Sequence, residues 1–151
     1  MKHLAVIHQG ALGDFLLALP VIEGFRLAGG EHRVVFCSRA EYLELIGNQP
    51  CYGHGVTIEA AGLVQLYRED AWQSFPVPPF LAEAGAVLVF GQSGSRLVVE
   101  RLARLLICPV HHVQSFPTGE ARLPVGAFLR GQLAALGREV LEVECRLLPR
   151  E

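Results

Sequence analysis

Short apolar runs alternate along the chain with longer segments, most of which end at a glycine. The short runs have the length and the composition of strands that are buried on both faces of a parallel sheet. They lie at residues 4–8, 33–37, 86–90 and 108–113, with 56–59 or 62–67 as a further candidate. The longer segments predict helices at residues 14–28, 39–46, from the turn at 91–95 to about 106, and 125–136.

Strands that alternate with helices predict a mainly parallel sheet with helices on both faces, connected by right-handed crossovers. The fold class is therefore α/β, a Rossmann-like three-layer α/β/α domain, and residues 1–151 are expected to form this single domain. In such sheets a ligand binds beyond the carboxyl ends of the strands, where the strand order reverses. If the strands at 4–8 and 86–90 flank that point, the loops 8–14 and 91–95 face each other across one crevice.

The composition narrows the classes of function. With 51% hydrophobic and 19% charged residues, the chain has the make-up of a folded globular domain. Its formal net charge is −2 and its basic residues are not clustered, which argues against a nucleic-acid partner. The four cysteines show no metal-binding spacing and favour a reducing, cytoplasmic location; they are Cys37, Cys51, Cys108 and Cys145.

The segment 8–20, HQGALGDFLLALP, places one carboxylate, Asp14, between a glycine-containing turn and an apolar helix. Gly10 and Gly13 allow a tight turn and a close approach of the backbone to a ligand. A helix N-terminus favours a negative charge, and a carboxylate in a crevice can accept a proton from a substrate hydroxyl as general base. The local sequence alone favours the alternative that Asp14 only caps its helix. His8, at the strand end, is a candidate for ligand contact or a structural histidine.

A dinucleotide cofactor is not predicted. The phosphate-binding fingerprint G-x-G-x-x-G is absent, because the spacing here is Gly10-x-x-Gly13 followed by Asp14. A carboxylate at that position would repel a pyrophosphate. No other cofactor and no metal site is predicted from the chain.

The turn after the strand at 86–90 is similar to the nucleophile elbow G-x-S-x-G, but Ser95 stands where the last glycine is required. A hydrolase that uses Ser93 with His111 or His112 is one hypothesis. The stronger interpretation is that Ser93 or Ser95 caps the following helix, whose backbone N–H groups are open to an anion.

The stretch LAVIHQGALGDFLLALPVIEGFR resembles the opening of glycosyltransferase family nine, the heptosyltransferases of lipopolysaccharide core assembly. These enzymes have a small-x-x-Gly-Asp turn after the first strand, followed by an apolar helix that contains a proline. Gly10, Gly13, Asp14, Pro20 and Arg26 stand at the matching positions here. The specific match covers about the first 30 residues, and the later stretches AVLVFGQSGS and FLRGQLAALG agree with the layout of the family.

The resemblance implies one half of a GT-B architecture, in which two Rossmann-like domains face a cleft. Residues 1–151 would be the N-terminal domain, which binds a glycan or glycolipid acceptor, and Asp14 would be the base that activates the acceptor hydroxyl. The expected substrate-binding residues are His8, Gly10, Gly13, Ser93 and Ser95.

The same resemblance implies that a nucleotide-sugar donor, typically ADP-heptose, binds a C-terminal domain that is missing after about residue 147. The chain alone is therefore expected to be inactive, and the intact enzyme to be cytoplasmic or peripheral at the inner membrane. The competing hypothesis is a non-catalytic Rossmann-like binding or assembly module. Such a module would form homo-oligomers through its apolar first helix, which Pro20 is expected to kink.

Overall fold

A five-stranded parallel sheet organises the computed structural model, which describes residues 2–47, 52, 55–118 and 124–143. The strands are β1 (His3–His8), β2 (Val34–Ser38), β3 (Val56–Thr57), β4 (Ala84–Gly91) and β5 (Val110–Gln114). The helices are α1 (Leu12–Gly29), α2 (Ala40–Ile46), α3 (Ile58–Ala61), α4 (Pro79–Ala82), α5 (Arg96–Leu105) and α6 (Val125–Ala134). The strand order is β3-β2-β1-β4-β5, so it reverses between β1 and β4. The predicted α/β fold and the position of the reversal are both confirmed.

Helices cover both faces of the sheet because the side chains of each strand alternate between the two faces. On β1, Leu4 and Val6 belong to one buried core, whereas Ala5 and Ile7 belong to the other. The first core packs against α1, α2 and α6, and the second packs against α3, α4 and α5. Burial on both faces explains why the strands are nearly continuous apolar runs in the sequence.

Helix α1 is apolar on several sides because it packs against more than the sheet. The segment 138–143 crosses it at Gly24, where an added Cβ would lie 2.0 Å from the carbonyl oxygen of Leu141. Helix α6 packs beside it, and Val140 is buried in the same core. Helix α1 continues as one helix through Pro20. Within the described part of the chain, neither α1 nor any other helix is long and apolar enough to cross a membrane.

Two of the differences from the prediction, the start of α1 and the conformation of residues 62–67, have local causes. Helix α1 begins at Leu12 and not at residue 14, because the extended backbone already turns into the helix at Ala11 (φ −70°, ψ 160°). Residues 62–67 do not form a strand, since Gly62 has the left-handed φ of 68° that ends α3, and a 3₁₀ turn follows. In that turn Leu63 and Leu66 are both buried, because residues three apart lie on the same side of a 3₁₀ helix.

Candidate functional site

A pocket of about 200 Å³ lies at the carboxyl ends of the central strands, where the strand order reverses. The two loops that were predicted to face each other meet there, together with the residues that follow β5. The described residues that line the pocket are Gln9, Gly10, Asp14, Phe90, Gly91, Gln92, Ser95, Ser115 and Phe116. Below, these residues are called the Asp14 pocket.

Asp14 lies in the first turn of α1 and is half-buried. It is the third residue of the helix, so it does not occupy the N-cap position, which Ala11 holds without any side-chain hydrogen bond. Among the described residues Asp14 has no hydrogen-bond or ion-pair partner. The free N–H groups and the dipole of the helix N-terminus favour a negative charge at this position. The carboxylate oxygens are therefore available to a ligand in the pocket.

Gly10 lies between the Asp14 carboxylate and the ring of His8. A Cβ at Gly10 would be 2.9 Å from Cε1 of His8, which is too close, and 3.7 Å from Oδ2 of Asp14, which is ordinary contact, so a larger residue would clash with the His8 ring. Gly13 differs, because it is the second residue of α1 and an added Cβ there would meet no atom within 4 Å. It is exposed and is not part of the pocket wall. Gly10 alone of the two glycines is needed for a close contact.

His8 is fully buried and is not among the residues that line the pocket. Its ring stacks on Phe90 at a centroid distance of 5.3 Å and meets the edge of Phe15 at 5.4 Å. The backbone N–H of Gly10 donates a hydrogen bond to Nδ1 of His8 over 3.2 Å. Burial lowers the pKa of His8 to about 4, so the ring is neutral near pH 7. Because Nδ1 accepts the hydrogen bond from Gly10, the proton of the neutral ring resides on Nε2. The structure thus places His8 beneath the loop at residues 9–13, where its ring supports the loop and does not line the pocket.

The loop after β4 brings Ser95, but not Ser93, into the Asp14 pocket. An added Cβ at Gly91 would lie 1.8 Å from Oγ of Ser95, so the absence of a side chain at Gly91 makes room for that hydroxyl. Ser95 occupies the N-cap position of α5, but its side chain makes no capping hydrogen bond. No histidine or carboxylate of the described ranges bonds to either serine, so no hydrolase triad is assembled there.

A second pocket of about 240 Å³ adjoins the first, and Gln92 lines both. Its wall is polar and is formed by Gln92, Ser93, Arg96, His112, Gln114 and Thr118. Nε2 of His112 lies 3.2 Å from the carbonyl oxygen of Gln92. Burial lowers the pKa of His112, and the charge of Arg96 acts in the same direction. In the parts of the chain described here, no cluster of His, Cys, Asp and Glu side chains is placed to hold a metal ion.

Three residues of the Asp14 pocket lie outside the two loops predicted to form it: Phe90, Ser115 and Phe116. Oε1 of Gln92 accepts a hydrogen bond from the backbone N–H of Ser115 over 3.1 Å, which ties the end of β5 to the β4 loop. Ser115 and Phe116 lie just past β5, which ends at Gln114. Their position directly after a predicted strand was a signal, because the carboxyl ends of parallel strands meet at one edge of the sheet. The sequence does not show, however, that β5 is adjacent to β4.

The comparisons with known proteins bear on the fold. No protein-family model matches the chain, and no curated protein matches it. Among solved structures, the chain is similar to the crystal structure of a glycosyl transferase family 9 protein from Veillonella parvula, with a TM-score of 0.58 and 11% sequence identity. The match covers 96% of this chain and 46% of that one. This chain therefore shares the fold of part of that structure and spans less than half of its length.

Proposed function

We propose that this chain is the acceptor-binding half of a glycosyltransferase similar to the family-nine enzymes, with Asp14 as general base. The observation that supports this is the Asp14 pocket, where a carboxylate without a partner among the described residues stands at the edge at which the strand order reverses. Open α/β sheets bind their ligands at this edge. The likeness of the fold to a glycosyl transferase family 9 structure supports the same assignment.

In the proposed reaction Asp14 accepts the proton of an acceptor hydroxyl as the hydroxyl oxygen attacks the anomeric carbon of the donor sugar. The new carbon–oxygen bond forms while the bond from that carbon to the donor phosphate oxygen breaks. The electron pair of the broken bond leaves with the nucleoside diphosphate. Ser95 shares the pocket with Asp14 and Gly10 and is proposed to bind the acceptor, whereas Ser93 lines the adjoining pocket.

The nucleotide-sugar would bind a second half, which corresponds to the part of the family 9 structure that this chain does not cover. We expect a glycan or glycolipid acceptor of the lipopolysaccharide type. For such an acceptor the complete enzyme would work in the cytoplasm, at the surface of the inner membrane.

The test is Asp14→Asn in a full-length protein that contains both halves. Loss of the base is expected to lower kcat by about 10²- to 10⁴-fold, the usual contribution of general base catalysis. Glu41→Gln is the matched control, because Glu41 is also an acidic residue in a first helical turn, but an exposed one on α2. Transfer at the unchanged rate in Asp14→Asn would contradict the proposal.

The second candidate is a non-catalytic module that self-associates through α1. It is favoured by Leu12 and Leu17, whose side chains are 40% and 50% exposed near the start of that helix. Under this alternative, Leu17→Lys would abolish self-association in analytical ultracentrifugation, and the Asp14 variant would change no activity.

A further inference from the structure

The hydroxyl of Ser115 is buried at the Asp14 pocket and has no hydrogen-bond partner among the described residues. The residue is only 3% exposed. Its backbone N–H is already bonded to the carbonyl oxygen of Gly91 and to Oε1 of Gln92, so the side chain alone is unsatisfied. Buried hydroxyl groups in folded proteins nearly always have a partner. A ligand that fills the pocket can supply the missing one.

Phe116 follows directly, is 39% exposed and lines the same pocket with an aromatic side chain. The wall thus combines an apolar ring with the hydroxyl groups of Ser95 and Ser115 and the carboxylate of Asp14. A sugar ring needs this combination, because its C–H groups form an apolar face and its hydroxyl groups require hydrogen-bond partners. Ligand sites in general join an apolar wall to a few converging polar groups.

The size and the charge of the pocket limit the ligand further. Its volume of about 200 Å³ is below the range of about 300 to 1,000 Å³ that is typical of sites for drug-sized ligands, so it has room for one ring. Asp14 is the one charged side chain among the described residues of its wall, and it would repel an anionic ring. Arg96 and His112 line the adjoining pocket instead.

We infer that the Asp14 pocket binds a single uncharged sugar ring, with Phe116 against the apolar face of the ring and Ser115 bonded to one of its hydroxyl groups. The identification of this ring as the acceptor rests on the proposed function, whereas the binding of the ring does not. Phe116 and Ser115 are then the residues that determine which ring is accepted. They act by binding and take no part in proton transfer.

The experiment is a titration of the chain with methyl glycosides of glucose, galactose and mannose, followed by backbone and aromatic NMR signals. At least one glycoside is expected to shift the signals of Gly91, Ser115 and Phe116. Inorganic phosphate is titrated in parallel and is expected to leave these three signals in place. If none of the glycosides shifts the three signals, whether or not phosphate does, the inference is overturned.

Variants separate binding from structure. Phe116→Ala is expected to weaken the glycoside by about three- to tenfold, the effect of losing one aromatic contact, with Tyr67→Ala as the control at another exposed aromatic ring. Ser115→Ala is expected to weaken it by about fivefold, the effect of one hydrogen bond, with Ser74→Ala, at an exposed serine outside both pockets, as the control. Because the Ser115 hydroxyl has no partner among the described residues, its removal should leave the melting temperature unchanged or raise it. A lowered melting temperature with unchanged binding would overturn the role of Ser115.

Two outcomes separate sugar binding by the Asp14 pocket from sugar transfer by the full-length protein. If the glycoside binds and Phe116→Ala weakens it, the sugar site stands even where the full-length protein transfers no sugar. If the full-length protein transfers sugar and loses activity in Asp14→Asn, while Phe116→Ala and Ser115→Ala leave the acceptor KM unchanged, the sugar site is wrong and the proposed function stands.

Discussion

The carboxylates at the two ends of helix α1 differ in whether an arginine pairs with them. In the first turn, Asp14 is half-buried at a pocket and has no partner among the described residues. Near the other end, Glu23 pairs with Arg26, and Glu31 just beyond the helix pairs with Arg138. Both of these glutamates are buried. The fold therefore supplies partners to carboxylates that it buries for structural reasons, and leaves open the one that faces a pocket.

Arg138 shows how tightly the paired end is built. Nη1 donates to Oε1 of Glu31 over 2.7 Å and to the carbonyl oxygen of Phe25 over 2.9 Å. The guanidinium also lies 4.1 Å from the centre of the Phe25 ring. An added Cβ at Gly29 would lie 2.0 Å from Nη1 of Arg138, so a glycine is required where this side chain crosses the helix.

The largest expected effect on stability comes from breaking the paired end. Arg138→Met keeps an apolar chain over Phe25 but leaves the buried Glu31 without its cation, which should lower the free energy of unfolding by about 3 kcal/mol. Arg130→Met is the matched control, since the Arg130–Glu142 pair is largely exposed and should cost at most about 0.5 kcal/mol. Urea denaturation measures both. Equal losses of unfolding free energy in the two variants would show that the buried Arg138–Glu31 pair stabilises the fold no more than an exposed pair.

The second effect concerns the support of the Asp14 end by His8. Burial lowers the pKa of His8 to about 4, from an ordinary value of 6.5 in the unfolded chain. The unfolded chain therefore binds the proton first, and stability is lost as the pH falls from 6.5 towards 4, by about 2 kcal/mol at pH 5. His8→Phe should flatten this dependence in thermal melts at several pH values, and the exposed His32→Gln should not. An identical slope in wild type and His8→Phe would contradict the assignment.

The third effect compares two glycines of α1. Gly24→Ala places a Cβ against the backbone of Leu141 and should destabilise the fold by about 1–3 kcal/mol, since the carbonyl must move. Gly13→Ala meets no atom within 4 Å and should stabilise the helix by up to about 1 kcal/mol. The two midpoints of urea unfolding should thus move in opposite directions. An unchanged or raised midpoint for Gly24→Ala would show that segment 138–143 does not constrain α1 there.

The smallest effect is expected at Asp14 itself. Because the carboxylate has no partner among the described residues, Asp14→Asn should change the free energy of unfolding by at most about 0.5 kcal/mol. The same substitution is expected to lower the rate of sugar transfer strongly, so it should affect activity and not stability. A loss of several kcal/mol in urea denaturation would identify Asp14 as a structural residue.

The sequence was sufficient for the architecture because hydrophobic patterning is itself the consequence of burial. Strands buried on both faces must be largely apolar, and this predicted β1, β2 and β4 within a few residues. The edge strand β5 was also predicted, although Val113 is its one buried residue. The apolar composition of residues 62–67 made them a candidate strand, but Leu63 and Leu66 are buried by a 3₁₀ turn. An apolar run records burial and does not record the backbone conformation that produces it.

The candidate site was predictable only as far as it follows from strand order. Asp14, Gly10 and Ser95 meet because β1 and β4 are neighbours, which the fold class suggests. Ser115 and Phe116 enter because β5 lies beside β4, and no local pattern specifies that pairing. The burial of His8 was likewise not visible, since it depends on the packing of Phe15 and Phe90 around the ring.

The clamp on α1 has a mechanical consequence. The helix has 18 residues and is therefore about 27 Å long, and it continues unbroken from Asp14 past Gly24. Segment 138–143 contacts it at Gly24 and Gly29, whereas in the first turn Phe15 is buried against His8 and Phe36. The continuous helix therefore connects segment 138–143 to the wall of the Asp14 pocket. A displacement of segment 138–143 along the helix axis would be transmitted to the Asp14 carboxylate at the far end.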